Sequence, residues 1–519
     1  MKKNIIKLLT LVALCTPVYG CLDSSLNDDP DKVKASELGK DNLHGTYLTS
    51  LQRNVAPEDQ NDFQLTEDLV GNMFAGYYAG TQSWEGGYNS TTYAFPDHWK
   101  NRPFSVAFTK LMSNWHQLRL KTDSASVLFA VGEVVKVEAM HKTTDIYGPI
   151  PYTRFGLQTP VPYDSQEAVY MRFFTELNHA IGVLTNFDKL NPGAKPLDKF
   201  DLIYGSDIKK WIRFANSLKL RLAMRCRAVY SGAQKLAEEA VNNTYGVLED
   251  YADNALMQTV GALSFTYNNP FYNIYSPEGY NEDRMGASMD AYLNGFADPR
   301  LPKFFAKAKG DVYRGLRNGL RNGKNFQGNE NLSMPTITRS TPYVWMTAAE
   351  VWLLRAEGAL FGWNMGGTPQ ELYEKGVSSS LEQYGLAGDV EAYLSSNAKP
   401  SAYAGLRGSP AVEAPSDITP AWDDNATQEK KLERIITQKW IAIYPLGQEA
   451  WSEFRRTGYP KLFPVVDNLS NGKVSTNEQV RRLPFPASEY DGNKAEVEKA
   501  VQLLGGEDTG GTRLWWDKQ

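Results

Sequence analysis

The stretch YVWMTAAEVWLLRAEGALFGW, Tyr343 to Trp363, sets apolar side chains at Trp345, Ala349, Trp352, Ala356, Ala359 and Trp363, three or four residues apart. This spacing predicts an α-helix, and Val344, Ala348 and Val351 give it a second apolar face. A helix that is apolar on two faces must be covered from both sides, so it belongs between other helices. The same period returns at Trp211, Phe214, Leu218 and Leu222, and at Leu432, Ile436, Trp440 and Ile443. Further helices are expected over 36–53, 103–120, 126–144 and 165–184. Small residues such as Ala223, Ala349 and Ala356 allow the close approach that stacked helix pairs need. The expected class is therefore mainly α, with helical hairpins piled into a solenoid-like, superhelical scaffold and little strand. No repeat of fixed length is visible.

The first twenty residues read as a secretory signal: Lys2, Lys3 and Lys7 flank and enter the apolar run Leu8–Leu14, and Val18-Tyr19-Gly20 precedes Cys21. The run is too short to span a bilayer, and no later window of about 20 apolar residues can. Val-Tyr-Gly-Cys resembles a bacterial lipobox, which makes Cys21 the expected lipidation site and first mature residue. Residues 21–35 are polar, acidic and Pro-bearing, as a flexible tether would be. Residues 36–519 are then expected as a single domain. With the signal removed, the remaining cysteines, Cys21 and Cys226, give no disulfide framework.

Charge and motifs exclude several functions. A net charge of -5 with mixed signs and no long basic run leaves no footprint for a nucleic acid. There is no His-Glu-x-x-His, no Gly-x-Ser-x-Gly and no phosphate-binding loop, so no cofactor is expected. His44, His98, His116, His141 and His179 lack ligand spacing, so no metal is expected either. A pair of glycosidase carboxylates could still be hidden among 60 acids, which keeps a surface glycoside hydrolase as the rival class.

Four long segments interrupt the helical period, near 71–99, 264–284, 309–341 and 398–425. The first two, GNMFAGYYAGTQSWEGGYNSTTYAFPDHW and SFTYNNPFYNIYSPEGYNEDR, are rich in Tyr, Asn, Gly and Pro, and irregular segments of this length are usually functional. Flat rings suit the C–H faces of a sugar, and Asn, Gln, Asp or Arg suit its hydroxyls. The expected ligand-binding residues are Tyr78, Gln82, Trp84 and Tyr88 from the first loop and Tyr275, Tyr280, Asn281, Asp283 and Arg284 from the second. In the competing reading, each ring plugs its own loop onto the core.

Six motifs stand in one order along the chain: TDIYGPIPYTRFG (144–156), WIRFANSLKLRLAMR (211–225), ADPRLPKFF (297–305), AAEVWLLRAEGALFGW (348–363), QKWIAIYPLGQEAWSEFRRTGYP (438–460) and RRLPFPASEYDGN (481–493). Together they resemble the SusD/RagB family, as a divergent branch of it. The resemblance implies four tetratricopeptide-like helix pairs and a more irregular ligand-binding part. It also implies an outer-membrane, lipid-anchored protein of Bacteroidetes facing the cell exterior. Such a protein binds oligosaccharides without cutting them and works with a SusC-like TonB-dependent transporter; a peptide cargo is the alternative. On this reading Arg455 and Arg456 are scaffold, tying helix to loop through carboxylates, rather than an anion site. Gly447 is expected to end a helix, and YGPIPY to form a rigid turn at Gly148.

Overall fold

A computed structural model describes residues 40–259, 268–321, 328–406 and 408–518. The features described below lie in the compact unit Gly45–Gln519. The expected signal, tether and lipidation site at Cys21 lie outside the described residues, as do parts of the second and third loops.

Helical hairpins dominate. The first pair is α1 (Val127–Tyr147) with α2 (Gln166–Leu190), and the second is α3 (Ile208–Arg225) with α4 (Ala233–Val241). The third is α5 (Ala348–Leu360) with α6 (Pro369–Glu382), and the fourth is α7 (Gln428–Ala442) with α8 (Gly447–Thr457). Successive pairs touch, α2 against α3, α3 against α5, and α5 against α7, which is the stacking the sequence period predicts. Local chemistry sets where the helices begin. Ser126, Ser165, Asp207, Thr347 and Thr427 each accept a hydrogen bond from the third backbone N–H of the helix they precede. Thr368 forms a capping box with Glu371, and Pro369 opens α6.

Several boundaries differ from the sequence reading, two of them in the packing of the hairpins. Residues 343–346, inside the predicted helical run, form a short strand, β4 (Tyr343–Met346), paired with β2 (Ala255–Met257). Trp345 is therefore buried from an extended backbone, and Thr347 starts the helix. Gly447 begins α8 instead of ending α7, which stops at Ala442 ahead of Pro445, and its lack of a side chain lets it pack on the backbone of Asn72. The other two strands are β1 (Tyr78–Gly80) and β3 (Asp283–Met285).

Ion pairs buried between the hairpins join all four. Arg221 on α3 meets Glu138 on α1 and Glu350 on α5, and Arg225 meets Asp145, Glu449 and Glu453. Lys439 on α7 reaches Glu449 at 3.0 Å. Arg456 holds Glu357 with two bonds, 2.6 and 2.7 Å, and also Glu453. Arg456 is thus a carboxylate tie, as expected, but it joins helix to helix and not helix to loop. Arg455 is scaffold by a different chemistry: it donates to the carbonyls of Asp145 and Arg481 and lies over the Trp451 ring. In YGPIPY, Gly148 has φ +85° and donates to Thr144 O, making the expected turn. Among the described residues no helix is long and apolar enough to cross a membrane.

Candidate functional site

The first and second loops meet as an antiparallel ribbon, with β1 and β3 in the register Tyr78 to Met285, Ala79 to Arg284 and Gly80 to Asp283. The third loop is tied on behind: Asn318 donates to the carbonyls of Met73 and Tyr78, and Ser83 donates to Arg321 O. Three segments far apart in the chain thereby become one surface.

Four of the nine expected binding residues form the base of this surface and do not reach a ligand. Tyr78 is wholly buried, stacked on Phe271 at 4.5 Å between ring centres, and its hydroxyl donates to Tyr444. Tyr275 is buried with its hydroxyl on Ile337 O. Asp283 is buried against Asp68, and burial pushes both carboxyls up, Asp68 to about 7. Arg284 is buried too, donating to Asn281 Oδ1 and to the carbonyls of Tyr275 and Asp283. Different contacts cover them. In the β1–β3 ribbon Tyr78 and Asp283 share the face turned inward, Arg284 lies on the other face under Asn329 of the third loop, and Tyr275 ends the short helix Phe271–Tyr275, packed on Phe271.

The other five stand at the rim: Gln82 and Tyr88 are exposed, and Trp84, Tyr280 and Asn281 are half-buried. Trp84 lies across Gly80, where a side chain would overlap the indole. Its edge meets Trp99, and its N–H bonds to Glu282. Glu85, Gly86 and Gly87 follow in left-handed backbone, a turn so tight against Arg321 that only glycine fits at 87. Tyr88 emerges from this turn 50 % exposed, with the Arg321 guanidinium 4.8 Å from its ring centre and bonded to its hydroxyl. The Tyr280 hydroxyl accepts from Gln60 at 2.6 Å and donates to Asn61 at 2.7 Å. Gln64 donates to Glu282 at 2.5 Å.

The exposed Tyr88 and the half-buried Trp84 and Tyr280 thus form a rim, or shelf, that also carries amides and a carboxylate. It can stack on an apolar ring face while exchanging hydrogen bonds around that ring's edge. Sequence reasoning missed Gln60, Asn61, Gln64, Glu282 and Arg321. Glu282 lies inside the quoted second loop, so proximity was a usable signal. Gln60, Asn61 and Gln64 sit close together on a short helical stretch with no motif, and only tertiary contact brings the first two to Tyr280 and the third to Glu282. Among the described residues no group of three or more His, Cys, Asp or Glu side chains is placed to hold a metal ion.

Comparison with known proteins adds the following. A family model described as SusD-like, the SusD and RagB outer membrane lipoproteins, matches residues 25–517. Among solved structures, a chitin-binding SusD homologue from Flavobacterium johnsoniae is 37 % identical with a TM-score of 0.86, covering 92 % of this chain and 99 % of its own. SusD homologues from Bacteroides thetaiotaomicron and Bacteroides uniformis are each 38 % identical with a TM-score of 0.84, over 92 % of this chain and 99 % of theirs. No curated protein matches.

Proposed function

Because this chain belongs to the SusD/RagB family of outer-membrane lipoproteins, we propose that it is a non-catalytic glycan receptor that passes oligosaccharides to a SusC-like TonB-dependent transporter. Lipid on Cys21 anchors it, and the polar stretch after Cys21 lets the helical body face the cell exterior. The observation that carries the reading is the exposed Tyr88 beside the half-buried Trp84, both held in place, at a rim that also carries Gln82, Tyr280 and Asn281. The hairpin scaffold supports this by supplying a stiff base, so little entropy is lost when a sugar settles on rings already in place.

A shelf open to water excludes little of it, so affinity falls on the order of micromolar to millimolar, roughly -8 to -4 kcal/mol. Weak binding suits a protein that must release its cargo. The chitin-binding relative makes N-acetylglucosamine oligomers the first ligands to try. Calorimetry with chito-, xylo- and malto-oligosaccharides, repeated with Trp84→Ala, tests the reading. Binding lost in the variant supports it. Wild-type binding to peptides and to no saccharide overturns it, and release of shortened products would make the protein a hydrolase instead.

A further inference from the structure

Beside the shelf the surface drops into an open groove of about 550 Å³. We propose that this groove is a second part of the same binding site, made for the continuation of a neutral polysaccharide chain whose first rings lie on Trp84 and Tyr88. The inference rests on the glycan reading above and adds to it a substrate class, an uncharged chain longer than the shelf.

Continuity is the first support. Glu85 and Tyr88 belong to the turn that carries the shelf, and both also line the groove. From Tyr88 the near wall runs on through Phe95, which is half-buried and packed on Gly510. The far wall comes from the C-terminal part of the chain, with Tyr490 half-buried and its hydroxyl fixed on Asp508 at 2.8 Å. Rings that are partly open and held in place thus continue past the shelf, and the size falls within the roughly 300–1,000 Å³ of ordinary ligand sites.

The second support is a polar turn built at the rim. Ser470 Oγ accepts from the Val474 N–H, Lys473 N–H donates to Ser470 O, and Leu469 N–H bonds to Thr92 O, which joins the two walls. Asn471 and Gly472 are left-handed, and the Asn471 and Lys473 side chains project, exposed, with no hydrogen bond or ion pair among the described residues. A fixed turn with two idle donors offers hydroxyl or amide oxygens something to bind.

Charge selects the ligand. The ionisable side chains of the groove balance, Lys100 and Lys473 against Glu85 and Asp508. Lys100 is paired with Asp97, and Asp508 with Arg482. A balanced groove gives no field to attract a phosphate backbone or a polyuronate, so an uncharged chain fits best.

The test is calorimetry on the full mature chain with chito-, xylo- and malto-oligosaccharides of two to eight residues. The variant is Asn471→Gly/Lys473→Ala, which keeps the left-handed backbone and removes both donors. Affinity should rise about tenfold or more, about 1.4 kcal/mol, from the shortest binding oligomer to the longest. The double variant should lose most of that gain and keep the short-oligomer affinity, while Trp84→Ala weakens every length. A plateau with length in the wild type, or equal effects of the double variant on short and long chains, overturns the groove and leaves the shelf standing. If no saccharide of any length binds the wild type, the glycan reading falls and the groove proposal falls with it.

Discussion

The Trp84 indole lies directly on the backbone of Gly80, with no room between them for a side chain. A side chain at position 80 must therefore lift the ring off its bed. Gly80→Val is expected to weaken glycan binding by about tenfold, and Trp84→Ala by on the order of 1–3 kcal/mol, as for other well-packed aromatic anchors. Calorimetry on the best-binding oligosaccharide, with thermal melts to check that both variants fold, measures this.

Tyr78 and Tyr88 look alike in the sequence but should respond oppositely to mutation. Tyr78→Phe strips Tyr444 of its donor in a buried pair and should cost about 1 kcal/mol of stability with glycan affinity unchanged. Tyr88→Ala should alter stability by no more than about 0.5 kcal/mol and weaken binding. Urea unfolding and calorimetry on both proteins give the comparison. Equal loss of affinity in the two would place Tyr78 at the ligand after all.

Arg456 joins α8 to α5 through buried Glu357 and to Glu453 in its own helix. Its removal leaves two buried carboxylates each short of one partner, Glu357 with Arg227 alone and Glu453 with Lys439 and Arg225, so Arg456→Ala should cost about 3 kcal/mol, read as a lowered urea midpoint. Arg456→Lys keeps the charge but not the fork and should fall between. Burial alone would raise the Glu453 carboxyl, yet Arg456, Lys439 and Arg225 hold it down to about 2. Its contribution is thus present above the ordinary carboxylate range and lost as the pH falls from about 4.5 through about 2.

The Asp68–Asp283 pair titrates in the opposite sense. Neither Asp68 Oδ2 nor either oxygen of Asp283 meets a donor, so a bond between the two carboxyls requires one of them to hold a proton. Burial raises both, and the charge of Asp68 raises Asp283 further. The folded state therefore binds the proton more tightly than the unfolded chain. The resulting stability is complete below about 4 and is lost as the pH rises through about 7. Melting temperatures of the wild type should fall from pH 5 to pH 8 relative to Asp283→Asn, whose amide supplies a permanent donor. Parallel curves for the two proteins would refute the shared proton.

The site was only partly legible in the sequence. Ring-rich loops were visible at once, because such composition does not build a helix, and the structure brings both loops together. Which rings face outward was not visible. Tyr275 and Tyr280 occupy the same loop, yet one hydroxyl ends on Ile337 O and the other on Gln60 and Asn61 at the surface. Nothing within a few residues of either distinguishes them.

The helices, their caps and the order of the hairpins were determined by the sequence. A helix repeats every 3.6 residues, and its start is set by a side chain bonding a backbone group three positions away, so both are local. The facing of the shelf was decided by tertiary structure alone. Pairing of β1 with β3 turned Tyr78 and Asp283 into the core, and a run of left-handed backbone against Arg321 sent Tyr88 out into solvent. Inward and outward are exchanged by a one-residue change of strand register, and register depends on contacts between segments that neighbouring residues do not encode.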